Sequence, residues 1–142
     1  MPTVERSMLV PYSCEQMYAL VLDVERYPEF LPSCSGARVL SRSEDEVCGE
    51  VDLNFKGIRH SFSTCNRLTP YERIELALQD GPFSTLEGYW LFQDLGAGSK
   101  VALKLDYDFS SRLLAMALGP IFSLFANGLV DAFNQRAREI YA

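Results

Sequence analysis

His60 is the only histidine in the chain. It sits in Ile58-Arg59-His60-Ser61-Phe62, where strand alternation puts Ile58, His60 and Phe62 on one face. An imidazole titrates near neutral pH and can shuttle a proton for a carbonyl substrate. One histidine, however, cannot assemble a His-rich metal site, nor a Ser-His-Asp arrangement with a second base in reserve. The residue types therefore favour a neutral histidine at the edge of the core, satisfied by one hydrogen bond, over a general acid or base. Thr64 and Asn66 continue the same face, and their side chains suit a ligand carbonyl or hydroxyl, or a water. The carboxylates stand elsewhere. Glu50, Asp52, Asp106 and Asp108 fall on the solvent phases of their strands, and Glu87 is out of phase with Trp90. Arg59 and Arg67 lie on the wet phase of the neighbouring strand, a pattern that reads as cross-strand charge pairing. No two carboxylates converge on the interior, so hydrolase and lyase chemistry lacks its acid-base pair. Gly96-Ala97-Gly98 joins two strands without opening a helix and is not a phosphate loop. No metal-ligand spacing and no catalytic residue is found.

What the chain has instead is apolar surface. Leu113 to Val130 runs eighteen residues without a charge, the length at which a membrane-spanning helix comes into question. Pro120, Ser123 and Asn127 interrupt the run, and Arg112 alone gives a weak positive flank. The charged continuation through Asp131, Arg136, Arg138 and Glu139 reads as a solvated helix. The better reading is one long helix, covered on one side and lining a cavity on the other. Aromatic residues crowd the preceding strands: Phe55, Phe62, Phe83, Tyr89, Trp90, Phe92, Tyr107 and Phe109. Most belong to a core, and a few facing an unfilled space would suit a flat or chain-like apolar ligand.

The elements follow from periodicity. Val4, Met8 and Val10 mark a first strand. Ser13 stands three residues before Gln16, a capping-box spacing, ahead of a helical stripe of Met17, Leu20, Val21 and Val24. Pro28 stops that helix, and Tyr27 to Pro32 reads as a short helix or turn. Period-two patterns then run through Val47–Phe55, Ile58–Leu68, Ile74–Leu78, Leu86–Phe92 and Val101–Phe109. Turns fall at Lys56-Gly57, Asp80-Gly81-Pro82 and Gly96–Gly98, and Ser110 or Ser111 caps the last helix. One strand, two short helices, about six strands and a long helix make an α+β domain over residues 1–142, with an antiparallel sheet. By phase, Leu53, Phe55, His60, Phe62, Trp90, Leu103 and Leu105 face the last helix. Leu114, Leu118, Ile121, Phe125 and Leu129 face back at helical spacing.

Composition sets outer bounds. With 142 residues, 48% hydrophobic and 23% charged, the chain is globular. A net charge of −6 argues against a broad nucleic-acid face and against direct DNA binding. The cysteines Cys14, Cys34, Cys48 and Cys65 form no CxxC pair and read as free thiols in a reducing compartment. The opening MPTVERSMLV has no signal architecture, so a cytoplasmic protein is expected.

Three separated motifs then resemble one family. Val10-Pro11-Tyr12-Ser13, with Glu15–Tyr18 and Leu22-Asp23-Val24-Glu25-Arg26-Tyr27-Pro28-Glu29-Phe30-Leu31-Pro32, is similar to the opening of the coenzyme Q-binding, START-like family. Asp80-Gly81-Pro82-Phe83, followed by Leu86, Gly88, Trp90 and Phe92, resembles its second signature, and Ala126 with Val130–Phe133 and Arg136-Ala137 its C-terminal helix. The resemblance implies a helix-grip fold, a curved antiparallel sheet wrapped around the C-terminal helix with a hydrophobic tunnel between them. It implies non-enzymatic binding of ubiquinone, another polyprenyl quinone or a similar lipid in support of respiration, with no catalytic cofactor. The family's bacterial branch implies an alternative, a toxin that associates with the large ribosomal subunit and blocks subunit joining. The wider superfamily of polyketide cyclases and dehydratases supplies a third, enzymatic reading, and contact with a membrane is expected to be peripheral at most.

Overall fold

Seven strands form a single antiparallel sheet in the order β1-β7-β6-β5-β4-β3-β2, in a computed structural model that describes residues 2–141. The chain runs β1 (Thr3–Val10), α1 (Cys14–Leu22), a 3-10 turn (Val24–Glu29), β2 (Cys34–Arg42), β3 (Glu46–Phe55) and β4 (Ile58–Thr69). It continues through β5 (Arg73–Asp80), β6 (Phe83–Asp94), β7 (Ser99–Phe109) and α2 (Arg112–Tyr141). From β2 to β7 each strand pairs with its sequence neighbour, and β1 closes the other edge on β7. This is the expected helix-grip architecture.

Local chemistry sets the boundaries. The Ser13 hydroxyl accepts from the Gln16 amide at 3.1 Å, and the Ser13 amide donates to Gln16 Oε1 at 2.9 Å, a complete capping box. Pro28 falls inside the 3-10 turn, after α1 has stopped at Leu22. Lys56 and Gly57 both have positive φ (52° and 85°), the backbone hand that matches strand twist in a two-residue hairpin. Of the two serines expected to cap α2, Ser111 does so, its Oγ accepting from the Leu114 amide at 3.1 Å.

The sheet curls because its strands approach closely and bulge. A Cβ on Gly88 would stand 1.9 Å from the Lys104 carbonyl oxygen, so β6 can meet β7 there only without a side chain. Register shifts that leave Gln79 of β5 and Ser84 of β6 as extra residues bend those two strands further. The concave face takes α2, whose Leu118, Ile121, Phe122, Phe125, Leu129 and Phe133 are buried at helical spacing. Phe122 meets Phe62, Phe83 and Tyr107 with ring centroids 5.6, 4.9 and 4.7 Å apart. Phe133 meets Trp90 at 5.4 Å and Phe30 at 5.2 Å. Such edge-on aromatic contacts add about 0.5–1.5 kcal/mol each beyond area burial. At the far end Arg136 donates to Glu29 at 2.7 Å.

Three expectations need correction. Cys48 and Cys65 are not free thiols: they stand directly opposite in the β3–β4 register and are joined in a disulfide, leaving Cys14 and Cys34 free. The carboxylates Glu50 and Asp52 pair with Arg38 of β2 rather than with Arg59 or Arg67, because Arg38 lies directly opposite Glu50. And α2 is not enclosed all round. Its outer stripe of Leu113, Met116, Ala117, Pro120 and Leu124 faces solvent, and gives way to Asp131, Gln135, Arg138 and Glu139 further on.

The close approach at Gly88 carries a clear expectation. Gly88→Ala should lower the free energy of unfolding by about 2–4 kcal/mol, because strand backbones must part. Gly57→Ala, at positive φ but in open space, should cost only about 1–2 kcal/mol. Urea denaturation of the two variants checks this, and a Gly88→Ala loss no larger than that of Gly57→Ala would contradict it.

Candidate functional site

A cavity of about 80 Å³ lies between the concave sheet and α2. It exists because small and polar residues interrupt the inner face where large ones would fill it. Gly49 on β3 lies opposite Thr64 on β4 and leaves that row without bulk. On the adjoining rows Asn66 pairs with Leu76 of β5, which in turn lies opposite Gly88. Val24 and Tyr27 of the 3-10 turn close the space from one side, and Phe122, Phe125, Leu129 and Phe133 of α2 form its roof. Val51, Phe62, Leu86, Trp90 and Leu105 complete the wall.

The electrostatics are those of an apolar pocket with a small polar spot. Thr64 Oγ1 donates to Asn66 Oδ1 at 2.7 Å, which leaves the Asn66 amide hydrogens available to an acceptor in the cavity. Tyr27 is the one titratable lining group. Its hydroxyl donates to the Val21 carbonyl, and burial pushes its phenol far above the ordinary tyrosine range, so it stays neutral. No carboxylate, lysine or arginine lines the space. The arrangement can hold an apolar ligand and offer one polar anchor.

Of the residues singled out by phase, Phe62, Trp90, Leu105, Phe125 and Leu129 meet at this cavity. Leu53, Leu103, Leu118 and Ile121 are buried but packed into solid core beside it. Leu114 is half-buried at the start of α2. Phe55 keeps its phase but lies at the hairpin tip, beyond the sheet's cover, and is exposed. The lining residues not singled out fall into two groups. Val51, Leu76, Leu86, Phe122 and Phe133 share the strand or helix phase of those named, so periodicity carried their signal. Val24 and Tyr27 reach the cavity only through the docking of the 3-10 turn on β2, which sets Val24 against Gly49 of β3, and periodicity gives no signal for that docking.

His60 departs from expectation in another way. It shares the inner face with Phe62 and lies opposite Leu53, its ring stacked beside Phe62 with centroids 6.4 Å apart. It is not among the lining residues. Both ring nitrogens are buried and neither has a hydrogen-bond partner among the described residues, where one bond was expected. Glu46, Cys48 and Cys65 bring ligand-type atoms within 4.8 Å of one another on β3 and β4, but the two sulfurs are committed to each other.

The START-like fold and this apolar site agree with what the chain resembles. It belongs to the family described as polyketide cyclase/dehydrase and lipid transport, whose model matches residues 10–134. It is 48% identical over 142 residues to the ribosome association toxin RatA of Vibrio cholerae, covering 99% of each chain. It is 28% identical over 140 residues to the mitochondrial coenzyme Q-binding protein COQ10 homolog B of Xenopus laevis, covering 95% of this chain and 57% of that one. The ZhuI aromatase/cyclase of a Streptomyces species superposes with a TM-score of 0.86 at 14% identity, over 99% of this chain and 96% of that one, and so shares the fold.

Burial without a partner disfavours the charged imidazole and lowers the His60 pKa below its ordinary 6.5. The unfolded chain then takes up a proton at a higher pH than the folded one. The stability from neutral His60 is therefore complete above about pH 6.5 and declines as the pH falls towards the folded-state value. Urea midpoints measured between about pH 7.5 and 5.5 should fall with acidification, and His60→Phe should flatten that fall. Equal pH dependence in the two proteins would contradict it.

Proposed function

We propose that this protein binds a prenylated quinone of the ubiquinone class, or a lipid of similar shape, between its sheet and α2, and turns over nothing. The observation that carries the reading is the aromatic-walled cavity whose only anchoring groups are Thr64 and Asn66. A quinone carbonyl is an acceptor that the Asn66 amide can meet, and isoprene units match walls of Phe, Leu and Trp. A relative named as a coenzyme Q-binding protein supports the ligand class. The lack of any acid-base pair among the lining residues supports a carrier over the cyclase chemistry named for a structural neighbour.

The size of the cavity sets the mechanism. Some 80 Å³ holds roughly three waters, well below the roughly 300–1,000 Å³ of a cleft that engulfs a drug-sized ligand. The tunnel expected from the resemblance is therefore too narrow here for a whole ligand, and a long tail enters only as the aromatic roof of α2 parts from the sheet. Each buried CH₂ contributes about 0.8 kcal/mol towards that opening, so affinity rises with tail length until association and ordering costs are offset. The carrier works as a soluble, cytoplasmic protein.

A second reading, association with the large ribosomal subunit, is supported by relatives named ribosome association toxin that match nearly the whole chain. It uses an outer surface and is compatible with a filled cavity. Co-migration of the protein with large subunits in a sucrose gradient tests it.

Trp90 is the only tryptophan and lines the cavity. Short-tailed ubiquinones should quench its fluorescence saturably, with affinity rising as prenyl units are added. Thr64→Val with Asn66→Leu should weaken binding by about 0.5–1.5 kcal/mol while leaving the fold intact, and Phe125→Asp should abolish it. Quenching that ignores tail length, or is unchanged in these variants, would overturn the quinone reading.

A further inference from the structure

The two ends of the sheet differ in character. At one end β4 runs on past Phe62 to the hairpin tip, paired only with β3, since β5 ends at Asp80 opposite Ser63. At the same end β7 finishes at Phe109 opposite Phe83, and α2 begins. Phe62 touches Phe83 and Phe122, which ties the two features together. From Phe62 to Ile58 the strand extends about 14 Å at ~3.4 Å per residue. From Phe122 back to Leu113 the helix extends about 14 Å at ~1.5 Å per residue. The hairpin and the first turns of α2 thus lie at the same end of the sheet.

This end is apolar at its tips. Leu113 and Met116 are each 76% exposed, and Ile58 and Phe55 are 46% and 38% exposed. It is also basic. Segments 54–61 and 110–120 contain no Asp or Glu, yet carry Lys56, Arg59 and Arg112, all exposed, in a chain of net charge −6. Lys56 Nζ lies over the Phe55 ring at 5.3 Å, so cation and apolar tip are adjacent. The nearest acids stand back in the sheet: Asp52 and Glu50 share Arg38, and Asp80 and Asp108 lie opposite Ser63 and Thr85. The turns at the opposite end carry Glu44, Asp45 and Glu72 with Arg42 and Arg73 beside them, so both signs are mixed there.

We propose that this end docks on an anionic lipid bilayer. Leu113, Met116 and Ile58 enter the acyl boundary, while Lys56, Arg59 and Arg112 meet headgroup phosphates. A second copy of the chain fits the face poorly, because a two-fold contact would set its cations against themselves. Full spanning is excluded by α2 itself, whose Ile121, Phe122, Phe125 and Phe133 are locked in the core. The proposal rests on the ligand reading for its purpose: a face beside the start of α2 brings a membrane-dissolved quinone to the helix that must move. Its evidence, the exposed tips and their charges, is separate.

Co-sedimentation with vesicles of phosphatidylcholine, alone or mixed with phosphatidylglycerol, tests it with the full chain. Wild-type protein should pellet with the mixed vesicles and far less with neutral ones, and added salt should release it. Leu113→Glu with Met116→Glu should reduce binding at least tenfold. Lys56→Ser and Arg112→Ser should each reduce it about fivefold, the effect of about 1 kcal/mol per cation. Leu9→Glu, at an exposed apolar residue on β1, should change nothing. Trp90 quenching by a short-tailed, water-soluble quinone should be the same in the Leu113/Met116 variant as in wild type. Vesicle binding unchanged in that variant overturns the docking face, whatever the quinone result. Loss of large-subunit co-migration in the variant, without any vesicle binding by wild type, assigns the face to the ribosome instead and also overturns the proposal.

Discussion

The fold depends on the aromatic contact between α2 and the concave side of the sheet. Phe122 and Phe133, about three turns apart, anchor the helix at two points, one against Phe62, Phe83 and Tyr107, the other against Trp90, Tyr27 and Phe30. A flat sheet could not supply both contacts. The curl needed to do so comes from backbone devices, the side-chain-free crossing at Gly88 and the bulges in β5 and β6. Remove either anchor and the helix loses one of its two seats, and the cavity loses its roof.

The cavity is the gap between these anchors. Small residues on the sheet, Gly49 and Thr64 above all, keep it from being filled, and the aromatic roof keeps it small. On the carrier reading proposed above, a long apolar tail enters as α2 yields, and affinity grows with tail length because each buried carbon offsets the cost of parting helix from sheet. On the same reading the element that moves is also the one that meets the outside, through its exposed, uncharged outer stripe.

Much of this was legible in the sequence, and the rest was not for definite reasons. The five clear period-two stretches, the Ser13–Gln16 cap and the inner stripe of α2 are local patterns, and each formed where its period indicated. The wall residues Phe62, Trp90 and Leu105 followed from phase alone. Phase could not say which inward residues touch empty space, so Leu53 and Leu103 turned out to be solid core. Tyr27 and Val24 reach the site by tertiary docking, which no periodicity encodes. The Cys48–Cys65 pair had an available signal: positions symmetric about a two-residue turn at Lys56-Gly57 lie opposite one another, and these two are such a pair. The outer face of α2 misled for a plain reason, since an uncharged helix looks enclosed on all sides until its neighbours are placed.

The central claim is that the space under α2 receives a prenylated quinone or similar lipid. Native mass spectrometry of the protein isolated from its own host, without detergent, addresses this most directly. The account predicts a bound species at one per chain, released by organic solvent and identified as a quinone or lipid with a long apolar tail. Protein that carries no such species, and gains none when incubated with long-tailed quinone before measurement, would contradict it.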